Sequence, residues 1–581
     1  MIIGSALRKH FDWLQGYSPT VFGNDLIAAI IVAILLVPQS LAYALLAGLP
    51  PELGIYVSIF PLIAYALLGS SRQLNVGPTA VISLMTAACI ATLPEGTRLI
   101  SAAALASLVG IFMISAGLLR GGFLMNFVSR PVVSAYITGA ATLIIISQLK
   151  HIFGVAASGT TALGLIESLW VSLGQMKAVA LLTGGSACLI LLLLKRNLAL
   201  SLVKFGVKSK RAKLIARMAP IGVIAVYILI SLALDLHERF DLAVVGSVPA
   251  GLPAFKVPGV SLDMIKMLIM PAAVIAVVSF VDSGSTGQEF AARNRTKLDM
   301  NRELLGLGGA NFVAGMTGGY PINGSMSRTA VNATAGGKTP LVNVIVALFM
   351  ALTALFLTPV LKSLPLSVLA ALIIIACLSL LDFKSLWRTW VYSRADGITA
   401  LATFLSVLIF GVQWGVLAGV ILAMSLHIRQ TLHPHIAEVG RFPGTEHYRD
   451  ASRFVVETNE EVKTLRIDES LYYANARSLE ERVSDLISES PDMRDLVLMC
   501  TAVSRIDASA LSSLEEVNKR LKRIGVKLHF SDMQSRVKER LFRSNFLDHL
   551  TGQIFLSQHD AMEALRPEPD WSQLSDHIDI H

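Results

Sequence analysis

The hydrophobic pattern divides the chain into two parts near residue 433. From Leu26 to Leu426, apolar runs of about twenty residues recur, separated by short polar or Gly/Pro breaks, and then they stop. A helix rises ~1.5 Å per residue, so such a run is what crosses a hydrocarbon core of roughly 30 Å. Ala102–Leu118, Ala178–Leu194, Ile221–Leu234, Val342–Leu357, Leu366–Leu381 and Ile398–Ile421 all meet that length or nearly do. Hydropathy allows roughly ten to fourteen crossings, and fourteen is the expected count. After Pro434, Pro443 and Gly444 the pattern becomes that of a small α/β domain. Phe454–Glu457, Val462–Ile467, Leu496–Cys500 and Val526–Phe530 read as strands, with helical periodicity at Leu479–Ile487 and Ala510–Ile524.

Two of the polar breaks stand apart. Gln73-Leu74-Asn75-Val76-Gly77-Pro78-Thr79-Ala80 and Gly318-Gly319-Tyr320-Pro321-Ile322-Asn323-Gly324-Ser325-Met326-Ser327-Arg328 interrupt what should be spanning structure. Non-helical backbone cannot face lipid, so these segments are buried in protein or line a cavity. Each begins a half-helix, whose N-terminus offers free N–H groups and partial positive charge to an anion. Upstream of each lies a further polar interruption, Val37-Pro38-Gln39-Ser40 in one half and Asp282-Ser283-Gly284-Ser285-Thr286 in the other. Matched broken helices in two halves point to an inverted-repeat secondary transporter with a midplane site. Close helix packing by small residues is the plainer alternative.

Composition agrees with a membrane protein. The chain is 54% hydrophobic and only 15% charged, against roughly a quarter charged in soluble proteins. The net charge of +8 reflects basic loops rather than a nucleic-acid partner. The segment from Lys195 to Arg217 carries eight Lys and Arg and no acid, which places it in the cytoplasm. An even number of crossings then puts the N-terminus and everything after Leu432 on that side. The N-terminal stretch is amphipathic and lacks the pattern of a signal peptide. Cys89, Cys188, Cys377 and Cys500 have no CxxC spacing, so neither a disulfide framework nor a metal site is expected.

Charged residues inside the apolar part carry the candidate chemistry. Asp282 sits within MLIMPAAVIAVVSFVDSGSTG, with the Thr286 hydroxyl one turn on. The pair could hold Na⁺ through hard oxygen ligands, the carboxylate could take up a proton, or Asp282 could form a structural salt bridge to Arg328. Arg328, with the Ser325 and Ser327 hydroxyls, supplies fixed charge and donors for an anion, and Gln39 adds a neutral amide. Glu289 and Arg293 approach the helix end and read as interfacial. Without a P-loop or other ATPase motif, transport is expected to be secondary. The soluble part shows no nucleophile–base constellation, so an enzyme is not expected.

Several of these motifs together resemble the sulfate permease family. They are Val37-Pro38-Gln39-Ser40-Leu41-Ala42-Tyr43-Ala44, Asn75-Val76-Gly77-Pro78-Thr79-Ala80, Gly318 to Asn332 with its Ser-Met-Ser-Arg core, and Gly336-Gly337-Lys338-Thr339. Leu471-Tyr472-Tyr473-Ala474-Asn475-Ala476 resembles the corresponding stretch of the STAS domains attached to these permeases. The resemblance implies an α-helical membrane protein of fourteen transmembrane segments, built as two inverted seven-helix repeats in the uracil permease-like fold with core and gate domains. It also implies elevator-like motion, a homodimer and a cytoplasmic α/β STAS domain that could bind a protein partner. Gln39, Thr79, Ala80, Ser325, Met326, Ser327 and Arg328 match positions that line the family's substrate site. Asp282 and Thr286 resemble the sodium-binding pair of the bicarbonate branch, whereas Arg328 resembles the anion exchangers. No cofactor is expected beyond a coupling sodium, and sodium, proton and exchange stay open.

The implied function is secondary transport of a small inorganic anion across the plasma membrane, with sulfate first and bicarbonate, chloride or a dicarboxylate as alternatives. A membrane-anchored regulator signalling through its STAS domain is the reading from another class. The expected boundaries are 1–24 for a cytoplasmic N-terminal segment, 25–433 for the transmembrane domain, 434–450 for a linker, 451–568 for the STAS domain and 569–581 for a tail. Ile506-Asp507-Ala508-Ser509-Ala510 resembles the Asp-Ser-Ser-Gly loop of anti-sigma antagonists, but Ala508 replaces the serine that is phosphorylated there. Ser509 is then expected to cap the following helix, with a substitute phosphosite as the alternative.

Overall fold

Apolar helices make up most of the described part of the first unit, Met1–Ala423, in the computed structural model, which describes residues 17–91, 93–123, 129–159, 161–246 and 251–566. Among the described residues, seven helices are long and apolar enough to cross a membrane. They are Pro19–Leu46, Arg98–Leu118, Pro131–Phe153, Ala178–Lys204, Leu262–Arg293, Leu341–Leu361 and Leu366–Tyr392. The single run expected at Ile398–Ile421 is instead divided between helices Arg394–Phe410 and Val412–Leu432. Gly411 makes the break at φ +87°, a backbone conformation open chiefly to glycine.

Small residues let the helices of this unit approach closely. A Cβ on Gly110 would stand 2.5 Å from the Phe312 nitrogen, and one on Gly315 would stand 2.5 Å from the Ala103 carbonyl, so Arg98–Leu118 and Met300–Met316 meet backbone to backbone. Pro38 lies inside helix Pro19–Leu46, where it has no backbone N–H to donate. Gly54 packs against the turn that follows, where a Cβ would collide with the Ser40 carbonyl oxygen. These contacts fix the stretch that carries Gln39.

Glu303 is fully buried and joins helix Met300–Met316 to the loop before the first broken segment. Its Oε1 accepts from the Tyr65 hydroxyl at 2.5 Å, and its Oε2 accepts from the Ser70 and Ser71 amides at 3.1 and 3.2 Å. Glu303→Ala would orphan the buried Tyr65 hydroxyl and Ser71 amide and the half-buried Ser70 amide, and each unsatisfied buried group costs ~1–3 kcal/mol. A loss of about 3 kcal/mol or more is expected, seen as a lower unfolding temperature of the purified protein in detergent. An unchanged temperature would show that the loop is held some other way.

The second unit, Met424–His581, is built on a five-stranded sheet whose strands lie side by side in the order Tyr448–Asp450, Ile436–Arg441, Val462–Ile467, Asp495–Met499 and Lys527–Ser531. Strand β3 (Ile436–Arg441) pairs antiparallel with β4 (Tyr448–Asp450) and β5 (Val462–Ile467), while β5, β6 (Asp495–Met499) and β7 (Lys527–Ser531) run parallel. Helices Ala476–Glu489 and Ala508–Arg523 make the crossovers, as parallel strands require. Leu465, Leu496, Leu498 and Phe530 from the sheet pack with Leu479, Val483 and Leu514 from the helices.

Three expectations are corrected here. Residues 434–450 are not a linker, because β3 and β4 lie within them and pair with the sheet. The strand expected at Phe454–Glu457 reduces to one bridge between Glu457 and Arg441, since the chain turns at 451–454. Asp507, rather than Ser509, caps helix Ala508–Arg523, its Oδ1 accepting from the Ala510 amide at 2.9 Å. The Ala510 and Tyr473 amides hold the Asp507 carboxyl below the usual carboxylate range. The expected 1–24 segment and 569–581 tail lie wholly or mostly outside the described residues.

Candidate functional site

Each broken segment contains a two-residue strand followed by a short helix. Strand β1 (Val76–Gly77) leads to helix Ala80–Ile90, and β2 (Asn323–Gly324) leads to helix Met326–Ala335. At 11 and 10 residues these helices reach only about 16 Å, half of a hydrocarbon core. The two strands pair antiparallel, Val76 opposite Gly324 and Gly77 opposite Asn323. The Ser325 amide donates to the Asn75 carbonyl at 2.9 Å, and the Asn75 amide donates to the Thr329 hydroxyl at 3.1 Å. Buried backbone freed from helix geometry thus finds partners in the other segment.

Arg328 lies beside this crossing and is 1% exposed. Its Nε donates to Asn75 Oδ1 at 2.7 Å, and its Nη1 donates to the Pro78 carbonyl at 3.0 Å and to Gln39 Oε1 at 3.3 Å. Asn75 is itself fixed, donating to Asn343 Oδ1 at 2.8 Å, while Asn343 donates to the Leu74 carbonyl at 2.9 Å. A guanidinium has five N–H donors in a rigid fork. Three are engaged in holding it, and Nη2 is buried with no hydrogen-bond partner. That leaves oriented donors for a ligand.

The remaining candidate residues surround the two helix N-termini. Ser325 caps the second helix, its Oγ accepting from the Arg328 amide at 3.4 Å and facing Ser327 Oγ at 3.2 Å. Thr79 occupies the equivalent cap of the first helix but makes no capping bond, and its buried hydroxyl has no hydrogen-bond partner. Ala80 is the first residue of that helix and is buried, whereas Met326 and Ser327 are exposed. Positive helix ends, a partly committed guanidinium and an unpaired hydroxyl together form a site suited to an oxyanion.

Gly77 sets how near the backbone comes to that cation. A Cβ there would sit 3.2 Å from Arg328 Nη2. Gly77→Val should therefore displace the guanidinium and weaken anion binding by about tenfold or more. Equilibrium binding to purified variant protein would measure this; unchanged affinity would mean Nη2 does not face the ligand.

Asp282 lies on helix Leu262–Arg293, outside the hydrogen-bond set of Arg328. Among the described residues it forms no ion pair with Arg328, so the structural salt bridge considered from the sequence is absent. Its Oδ2 accepts from Asn323 Nδ2 at 2.6 Å. Asn323 Oδ1 accepts from the Ser283 hydroxyl, which in turn accepts from the Gly324 amide at 2.9 Å. Since Asn323 faces Gly77 across the strand pair, the carboxylate reaches the crossing through one side chain. Beside it is a cleft of about 20 Å³ lined by Val132, Tyr136, Val278 and Val281. Thr286 is buried one turn further along, and Glu289 pairs with Arg293 near the helix end.

Asn75, Asn323 and Asn343 were not singled out from the sequence, although the first two stand within the quoted motifs. An amide embedded in an apolar or Gly/Pro-broken stretch is the available signal. It marks a group needing a buried partner.

The sequence pattern of the sulfate permease family matches residues 22–403, and that of the STAS domain matches residues 453–561. A protein of Arabidopsis thaliana named probable sulfate transporter 4.2 is 33% identical, covering 95% of this chain and 84% of its own length. A probable sulfate transporter of Mycobacterium tuberculosis is also 33% identical, with 95% and 96% covered. In structure the chain is similar to SLC26A9, with a TM-score of 0.85 at 24% identity over 98% of this chain and 95% of that one. The transmembrane domain of the cyanobacterial bicarbonate transporter BicA aligns with a TM-score of 0.59 at 23% identity, over 70% and 98%. The fold, the two matched patterns and the full-length relatives agree: this multi-pass membrane chain, with its C-terminal STAS domain, belongs to the sulfate permease family.

Proposed function

We propose that this chain is a secondary transporter of a small oxyanion, with sulfate as its substrate, driven by a proton taken up at Asp282. The observation that carries the anion assignment is Arg328, buried at two half-helix N-termini with Nη2 unpaired. Sulfate is favoured over bicarbonate because the relatives named as sulfate transporters match nearly the whole chain, whereas the bicarbonate transporter is a likeness of fold. Binding by Gln39, Thr79, Ala80, Ser325, Met326, Ser327 and Arg328 follows from their grouping around those helix ends.

The surroundings of Asp282 favour a proton over sodium. A small hard cation gathers several oxygen ligands, as the better-known calcium and magnesium sites do. Here the carboxylate meets an amide N–H donor and a cleft walled chiefly by valines, with Thr286 as the one further oxygen proposed from sequence. A cleft of about 20 Å³ has room for one water-sized particle, not for sulfate. Sodium bound at Asp282 and Thr286 is the second reading, favoured by the one-turn spacing of the two oxygens.

We place the protein in the plasma membrane with fourteen crossings in two inverted repeats, an elevator-like movement, a homodimeric assembly and the STAS domain in the cytoplasm. The family resemblance and the basic Lys195–Arg217 segment support this arrangement. Transport rather than catalysis is the function proposed for both units. The test is uptake of labelled sulfate and, separately, bicarbonate into proteoliposomes under imposed proton or sodium gradients. Saturable, proton-driven sulfate uptake is expected. Uptake of bicarbonate alone would reassign the substrate, and no uptake of either would favour a regulator acting through the STAS domain.

A further inference from the structure

A second cationic site lies behind the first broken segment. The loop Gly69–Gln73 forms one wall of a cavity of about 590 Å³, and the end of helix Leu262–Arg293, residues 296–299 and the Lys338–Pro340 turn form the others. Arg72, Lys297, Arg302 and Lys338 line it against a single carboxylate, Asp299. Asp299 is already engaged, its Oδ1 accepting from the Asn301 and Arg302 amides at 2.9 and 3.2 Å. Arg72, Lys297 and Lys338 are exposed, and the two lysines form no ion pair among the described residues. None of Gln39, Thr79, Ala80 or Ser325–Arg328 takes part, so the cavity is separate from the Arg328 site.

Its wall is nevertheless connected to that site. Gln73 donates to the Gly337 carbonyl at 2.8 Å, accepts from Asn294 Nδ2 at 2.6 Å, and offers its own carbonyl to Asn332 Nδ2 at 2.8 Å. Two residues on stands Asn75, which holds Arg328. Like charges converging on one concavity repel, and a polyanion entering it relieves that repulsion while gaining several charge-assisted hydrogen bonds. The volume is in the range of small-molecule sites and well above what one tetrahedral oxyanion fills.

We propose that this cavity binds a phosphate-bearing polyanion, and that the bound anion stiffens the loop carrying Gln73 and Asn75. A soluble polyphosphate and a lipid headgroup share the required chemistry. The test uses the full chain in nanodiscs of zwitterionic lipid, with inorganic pyrophosphate titrated by calorimetry. Pyrophosphate should bind there, and the double substitution Lys297→Gln and Lys338→Gln should weaken binding by about tenfold or more. The control pair Lys204→Gln and Lys208→Gln, which removes equal charge elsewhere, should change it by less than about twofold. Hydrogen exchange at residues 70–76 should slow on binding in the unsubstituted protein. In discs containing cardiolipin, weakened pyrophosphate binding would identify a headgroup as the occupant, and unaltered binding a soluble anion. The proposal is overturned by no binding in zwitterionic discs, by equal affinity in the Lys297/Lys338 variant, by an equal loss in the control, or by exchange at 70–76 that ignores the ligand. All of these readouts are independent of transport, so they stand whether or not sulfate is carried.

Discussion

Arg328→Ala is expected to weaken sulfate binding by about a hundredfold or more and to stop uptake. Two donors on Nη2 are available to a ligand, and hydrogen bonds to charged groups contribute about 1.5–3 kcal/mol each, so their joint loss spans two or more decades in affinity. The substitution also frees Asn75 Oδ1, the Pro78 carbonyl and Gln39 Oε1, which could lower stability. Arg328→Lys separates the two effects. Lysine keeps the charge but lacks the planar fork, so it cannot both satisfy those acceptors and present a directed pair of donors. Binding should stay impaired in a protein that still elutes as a single species. Native affinity in either variant would remove Arg328 from the site.

Asp282→Asn should abolish proton-driven accumulation of sulfate, leaving exchange of internal for external anion at a comparable rate. An amide side chain does not take up a proton near neutral pH, yet it matches the carboxylate in size beside Asn323 and the valine-walled cleft. An inwardly directed proton gradient should accelerate uptake in the native protein and have no effect in the variant. Continued acceleration would place the coupling group elsewhere. Thr286→Val addresses sodium directly. Any sodium dependence of binding should vanish with that hydroxyl, and its persistence would exclude Thr286 as a ligand.

The broken segments were legible because Gly77-Pro78 and Gly318-Gly319-Tyr320-Pro321 cannot continue a helix, and Asp282 was legible because a carboxylate in an apolar run is costly. What the sequence did not disclose was long-range pairing. Asn75 and Arg328 are separated by 253 positions, and nothing local to either names the other. Glu303 escaped notice for a related reason: it stands at the start of a helix, where an acid is unremarkable, and its burial depends on Tyr65 and the Ser70–Ser71 amides. Hydropathy averaged over Ile398–Ile421 concealed the turn at Gly411. In 434–450 the turn-forming Pro443 and Gly444 dominated the composition, although they close the hairpin between β3 and β4.

The strand pair between β1 and β2 ties the two broken helices into one body. The two broken helices are laced together by Val76 opposite Gly324, by the Ser325 amide on Asn75 and by the Asn75 amide on Thr329, so parting them would strip buried backbone groups of their partners. An anion held at these helix ends, as proposed, would then be carried with both helices together rather than between them. Access from one face of the membrane and then the other would in that case depend on what moves around the pair, and the pairing would keep the same donors on the ion throughout.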